Sequence, residues 1–402
     1  MGLIQGIGTL VLFKYYNFFV DSFDEAFGRF HVNIRIETLQ VIIPLGLSYY
    51  TFKMISYLLD INRGAIKATT NWVTFFAYVA FFPCLLAGPI DRAKSFIPQL
   101  EKRREFDYSI IVDGMRQVLW GLFKKVVIAD NCATITNEIF NNYQHLSSST
   151  LLSGAFFYTI QIYADFSGYS DMAIGIGHML GFDVTKNFNF PFFSKNIAEF
   201  WRRWHISLTS WLTDYIFTPL SVTFRDLGKT GLILAIVLNF TIVGLWHGAN
   251  WTYVVFGFLH GCYFIPLILK GSLNKKRKKT NGTLWHPFFQ TFNVLATFIL
   301  VMLTFILFRS DNILQAIEYY HRLFSLSFFS NPAIISENFD ENVVLFFIFC
   351  MLIVEWIQRR KKHGLQLNIN WPVFRWAIYA CIIFIIGMFM KTSEMPFIYF
   401  NF

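Results

Sequence analysis

The stretch GLWHGANW, Gly244 to Trp251, puts a histidine, an asparagine and two tryptophans into an otherwise apolar part of the chain. A second histidine, His205, stands among tryptophans in FWRRWHISLTSWL. A strongly polar side chain at bilayer depth costs a few kcal/mol on insertion scales, which makes each of these a functional-site hypothesis. A neutral imidazole can act as a general base on a hydroxyl or thiol. It can equally pass protons in a transporter. If 244–251 is one helix, Asn250 and Trp251 share a face with His247, and Gly244 and Gly248 form a G-x-x-x-G pair that lets another backbone come close. GFLHG, with His260, repeats the small-residue pattern in the next run. On a helical wheel His205 falls with Trp201, Leu208 and Leu212, while Arg202 and Arg203 point elsewhere. The competing readings are structural: a histidine tying two helices at 247, a satisfied core histidine at 205, and membrane anchoring for the arginines.

Two further clusters carry charge into apolar runs. In YADFSGYSDMAIGIGHMLGF, Asp165 and Asp171 do not share a face on a regular helix, whereas Asp171 and His178 do. In FFPCLLAGPIDRAKSF, Pro83, Gly88 and Pro89 end a span just before Asp91 and Arg92, which read as an interfacial ion pair.

The elements that must position these groups are membrane spans. Hydrophobic residues make up 55% of the 402 and charged residues 15%, against about 25% charged in a soluble domain. Apolar runs fall at 2–20, 39–59, 72–91, 110–129, 150–180, 231–247, 252–270, 288–309, 343–357 and 373–390. The 150–180 run is too long for one straight span and is expected to tilt, or to break near Ser167–Gly168. Residues 186–230 are amphipathic, aromatic and basic, and read as interfacial or re-entrant helix. The basic clusters at 101–104, 274–279 and 359–362 all fall on one side when spans are counted between them, and that side is expected to be cytoplasmic. The loops at 131–149 and 310–342 then face outward. The chain reads as one polytopic domain of about ten spans.

Composition and motifs also exclude. The net charge of +9 sits in short clusters between apolar runs and not on a base-reading helix, so no nucleic-acid partner is expected. None of Cys84, Cys132, Cys262, Cys350 and Cys381 forms a C-x-x-C pair, and no metal site is expected. The sequence has no H-E-x-x-H, G-x-S-x-G or Walker motif. The N-terminus, with Lys14 interrupting its apolar stretch, does not read as a cleaved signal peptide.

FWRRWHISLTSWLTDYIFTPL together with GLWHGANWTYVVFGFLHG resembles the membrane-bound O-acyltransferases, in the branch typified by the alginate O-acetyltransferase membrane subunit. IPLGLSYYTFKMISYLLDINRG (44–64), FFPCLLAGPIDR (81–92), YADFSGYSDMAIGIGHMLGF (163–182) and FIYFNF (397–402) match the same pattern, so the resemblance covers nearly the whole chain. It implies an all-α integral membrane protein of the cell inner membrane. The expected fold is a multi-pass helical ring around a thin central region, with re-entrant or interfacial helices. It implies His247 as general base or acceptor-orienting residue, and His205 as the residue that positions the donor or polarises its carbonyl. Asn250, Trp246, Trp201, Trp204, Arg202, Asp165 and Asp171 are the candidates for lining the substrate channel. The implied donor is acetyl-CoA or another acyl thioester, the acceptor a polysaccharide or cell-wall glycan, and the partner an extracytoplasmic, hydrolase-like protein that finishes the transfer. Membrane lipid surrounds the whole. Family members usually begin with two or so further helices before the counterpart of VLFKYYNFFVDSF, which starts here at Val11. Two alternatives stand beside acetyl transfer: D-alanyl transfer to teichoic acid on the same fold, and a proton-coupled transporter of lipid-linked sugar.

Overall fold

The computed structural model describes residues 2–28, 30–31, 36–39, 44–273, 286–325, 327, 341–367, 369–391 and 397. The basic run at 274–279, most of 328–342 and most of the closing FIYFNF lie outside the described residues. Among the described residues every regular element is helical. Five helices among the described residues are long and apolar enough to cross a membrane: Gly2–Gly28, Arg225–His247, Trp251–Leu269, Phe289–Arg309 and Pro372–Phe389. The chain is a multi-pass, all-α integral membrane protein.

The centre of the fold is a crossing of two helices. Helix α1 is Gly2–Gly28 and α2 is Leu47–Asn62; α3, Tyr108–Leu122, packs along α4, Ser148–Met179. At 32 residues α4 is about 48 Å long, well beyond the hydrocarbon core, yet it runs unbroken through Ser167–Gly168. The expected break is absent because the glycines serve packing. A Cβ on Gly168 would lie 2.8 Å from the Gly121 carbonyl oxygen, and one on Gly175 would lie 2.5 Å from that of Gly114. Two glycine pairs thus let antiparallel backbones touch, and a side chain at any of the four would force them apart. Beyond Leu122 the chain enters a π-helical stretch, Phe123–Ala129, of the kind found at functional sites. It carries Lys124 and Lys125 against α4.

The 72–91 run is not one span. It folds as Trp72–Val79 and Phe82–Leu85, separated at Ala80 and Phe81, because Pro83 has no N–H with which to extend the first helix. Nor do Asp91 and Arg92 pair with each other. Asp91 is buried and accepts from the Thr185 hydroxyl at 2.6 Å and its N–H at 2.9 Å, while Arg92 bonds Asp214 at 2.9 Å.

In the 186–230 stretch residues 213–227 are half-buried or exposed, while the short helices α5, Ile197–Trp201, and α6, Ile206–Leu212, are wound into the protein. Their aromatic faces are buried, with Trp211 stacked on Phe52 at 4.1 Å. Helices α7, Gly228–His247, and α8, Trp251–Cys262, then make a tight hairpin. A Cβ on Gly244 would sit 2.0 Å from the Tyr253 carbonyl oxygen, and one on Gly257 would sit 2.2 Å from that of Phe240. The close approach therefore runs through Gly244 and Gly257, while Gly248 sits in the turn. Helices α9 (His286–Arg309), α10 (Ile313–Leu323), α11 (Glu341–Ile357) and α12 (Pro372–Phe389) complete the described residues. At one end of α4 the Tyr143 hydroxyl donates to Glu318 on α10 at 2.7 Å and holds that carboxyl below its usual range.

Candidate active site

His205 is not on a helical face. Its backbone is left-handed, with φ of 45°, and it forms the N-cap between α5 and α6. A left-handed non-glycine residue is uncommon and costs energy that its surroundings must repay. The side chain is fully buried, edge-on to Phe166 at 4.6 Å between ring centroids. Its Nδ1 lies 3.0 Å from Asn187 Oδ1. The Asn187 amide donates in turn to Ser170 Oγ on α4 at 3.1 Å, and its Oδ1 also accepts from the Ser207 hydroxyl at 2.9 Å.

His247 is the last residue of α7, and the helix stops there. Asn250 therefore does not share its helical face: it N-caps α8, and its amide donates to the Asp311 carbonyl at 2.7 Å. The carbonyls that end α7 are taken up from α1. Lys14 Nζ bonds those of Trp246 and His247 at 2.8 and 3.1 Å, and the Tyr15 hydroxyl bonds that of Leu245 at 2.8 Å. The last carbonyls of a helix have no partner within it, so these bonds complete the terminus that holds His247.

The two histidines meet at Trp246, whose ring lies 5.8 Å from that of His205 and 4.9 Å from that of His247. Trp204 and Trp201 are buried beside them. Trp204 packs on Phe188 and Phe200, and Trp201 donates from Nε1 to His260 Nδ1 at 3.2 Å. Arg202 is exposed.

Two of the cavities flank α4, and neither counts His205 or His247 in its lining. One, of about 500 Å³, is lined by Asp130, Asn137, Gln161, Asp165, Asn250 and Phe308 among others; the Phe308 ring separates it from His247 at 5.0 Å. Asp165 belongs here and pairs with Lys125 at 2.8 Å. The other, of about 720 Å³ at the Met179 end of α4, is rich in cations: Lys102, Arg103, Arg104, Arg116 and Lys362. Lys362 also borders a narrow void of about 20 Å³ lined by Asp171 and Ser170 among others, and Ser170 is the residue that bonds Asn187. Asp171 does not face His178. It accepts from Lys124 at 2.6 Å and from Gln117 at 2.8 Å, while His178 lies 3.7 Å from Asp183.

The chain belongs to the membrane-bound O-acyltransferase family. The model of that family matches residues 65–306. Over 327 residues the chain is 38% identical to the probable alginate O-acetylase of Pseudomonas aeruginosa, covering 81% of this chain and 60% of that protein. It is 30% identical over 454 residues to the peptidoglycan O-acetyltransferase of Helicobacter pylori, which covers 100% of this chain and 82% of the relative. With the teichoic acid D-alanyltransferase of Streptococcus thermophilus the identity is 28% over 290 residues, 66% of this chain and 68% of that one. The chain spans 60% to 64% of the length of the alginate O-acetylases it matches first.

Within this family member, sequence reasoning missed Asn187, Lys14, Lys124, Lys125 and Glu355. Glu355 is fully buried on α11 and accepts from the Tyr163 hydroxyl at 2.7 Å. Lys124, Lys125 and Glu355 were findable, because each is a charge inside an apolar run. Asn187, in a loop between aromatics, carries no such signal.

Proposed function

We propose that this protein is an O-acyltransferase of the cytoplasmic membrane that moves acetyl from a cytoplasmic thioester, acetyl-CoA or a similar donor, toward a hydroxyl of an exported polysaccharide or cell-wall glycan. The observation that carries this reading is that two buried imidazoles pack against one indole, in a chain whose α4 is bordered by a cation-rich cavity at its Met179 end and by a cavity of carboxylate and amide groups nearer its middle. Lys102, Arg103, Arg104 and Lys362 suit the phosphates of a nucleotide thioester. Asp130, Asn137, Gln161 and Asn250 suit a hydroxyl-bearing acceptor. The names of the relatives from Pseudomonas and Helicobacter support acetyl and a glycan.

In the reaction the acceptor O–H gives up its proton, the oxygen bonds to the thioester carbonyl carbon, the C–S bond breaks, and the sulfur recovers the proton. His205 and His247 divide proton removal and orientation of the hydroxyl between them, with Trp246, Trp201 and Trp204 excluding water. An extracytoplasmic, hydrolase-like partner passes the group on to the glycan. The basic loops face the cytoplasm and 310–342 faces outward, so a cysteine at Ser327, and not one at Asn274, reacts with an impermeant reagent in intact cells.

The test is the ester content of surface glycans in cells with and without the protein, and with His247→Ala. Acetyl esters that depend on the protein and on His247 are expected. Unchanged esters sink the reading. Loss of D-alanyl esters instead would transfer the assignment to the chemistry named for the Streptococcus relative. Sugar flux without any ester change would mark a transporter.

A further inference from the structure

The basic loop after α11 turns back into the protein. Arg359, Arg360 and Lys362 are exposed, and the residues that follow, His363, Gly364 and Leu365, are buried. Gly364 lies against the Trp120 indole of α3. A Cβ there would stand 2.5 Å from the ring carbon Cε2, and that ring is itself buried and stacked on Phe123 at 5.3 Å. His363 donates from Nε2 to Asp113 Oδ1 on α3 at 3.1 Å. Its Nδ1 is buried and has no hydrogen-bond partner among the described residues.

The two ends of that bond belong to different spaces. Asp113 lines the cation-rich cavity, while His363 and Gly364 line the narrow void of about 20 Å³, and Lys362 borders both. The void has room for about one water molecule, yet its wall carries Lys124, Asp171, Lys186 and Glu355. Charge inside a membrane protein marks a polar path. A space of that size cannot pass an acyl thioester, so a path through it needs the wall to move. The helical walls are fixed, because glycine pairs lock α3 onto α4. The loop tip is the part that can move, since it is built into no helix and hangs on the His363–Asp113 bond.

We propose that His363, Gly364 and Leu365 form a gate between the cation-rich cavity and the charged void, latched by His363 on Asp113, and that phosphate groups bound in the cavity release it through Lys362. The proposal rests on the reading above, in which the cavity takes the phosphates of a nucleotide thioester. A ligand moves an equilibrium only by binding one state better than the other. Here the open state is bound better, for two reasons. Lys362 is exposed and is tied by its backbone N–H, to Gln366 at 2.8 Å. Its ammonium can therefore swing onto a phosphate in a charge-assisted contact, and the next residue carries the latch. The same anion repels the Asp113 carboxylate that accepts the latch bond.

The test needs no turnover. Ser167 lines the void and is 1% exposed. Purified Ser167→Cys protein is treated with methyl methanethiosulfonate, and labelling at 167 is followed by peptide mass spectrometry. The buried Cys132 serves as the reference for intact packing. Labelling at 167 should be slow. It should become about tenfold faster when Gly364→Ala keeps the tip from seating, or when His363→Ala removes the latch, with Cys132 still protected. Adenosine 3′,5′-bisphosphate, the probe for the cavity's phosphate site, should speed labelling of Ser167→Cys itself, and should have no effect once Lys362→Met is added. Unchanged labelling in both loop variants overturns the gate. The nucleotide arm uses the unaltered loop, so it decides even where a loop variant unfolds: a bound bisphosphate that leaves the rate unchanged overturns the release through Lys362. A bisphosphate that does not bind in equilibrium dialysis sinks the nucleotide reading of the cavity, and the loop variants still decide the gate. Acetyl transfer by a protein whose labelling never changes keeps the acyl-transfer reading and refutes the gate alone.

Discussion

The two histidines of the centre are held by opposite means. His205 is gripped at its side chain, by an amide that is itself gripped by two serines. His247 is gripped through its backbone, at a helix end whose last carbonyls are bound by Lys14 and Tyr15 from a distant part of the chain. The first arrangement ties one ring nitrogen to a named partner. The second fixes where the ring stands.

The largest effect should come from His247→Ala, which removes one of the two imidazoles and should cut transfer by about a hundred- to ten-thousand-fold while leaving insertion normal, read as kcat and as membrane yield. His247→Gln sharpens the comparison. Glutamine keeps hydrogen-bonding capacity and is not a base near neutral pH, so partial recovery assigns orientation to 247. An inactive His247→Gln beside an active His205→Gln would assign proton removal to His247.

Lys14→Met comes next. It leaves two carbonyls at the end of α7 without their donor, and an unsatisfied buried group costs about 1–3 kcal/mol. The expected result is a kcat lower by about tenfold, since a misplaced ring costs rate even when the fold survives, with Lys14→Arg intermediate. Wild-type activity in Lys14→Met would show that the helix end holds without the clamp. Asn250→Ala should matter less. It removes an N-cap worth about 1 kcal/mol, and is read as a lower unfolding midpoint in detergent with transfer largely kept. Arg202→Gln should leave both rate and midpoint unchanged, because the guanidinium is exposed. A clear loss of activity there would restore Arg202 to the channel.

Much of this was legible without coordinates. The all-helical membrane class followed from long apolar runs, and the two histidines stood out as polar groups where bilayer energetics penalise them. What misled was local periodicity. A wheel drawn through His205 put it on the correct, buried side for the wrong reason, since the helix breaks at that residue. The same assumption joined His247 to Asn250, although α7 ends between them. Asp171 and His178 share a helical face, yet each finds a partner on another element or in the following turn.

Chain chemistry by itself determined where polar groups would be costly, and hence which residues deserved a function. It also determined the glycines that let α3 touch α4 and α7 touch α8. Only the tertiary structure decided which groups satisfy one another. Hydrogen bonds join atoms by position in space, and the bonds at this centre span 17, 18, 20, 232 and 233 residues of sequence. No periodicity reaches so far. Nδ1 of His205 meets an asparagine that the sequence leaves unremarked in a loop, because folding and not spacing brings that neighbour to the ring.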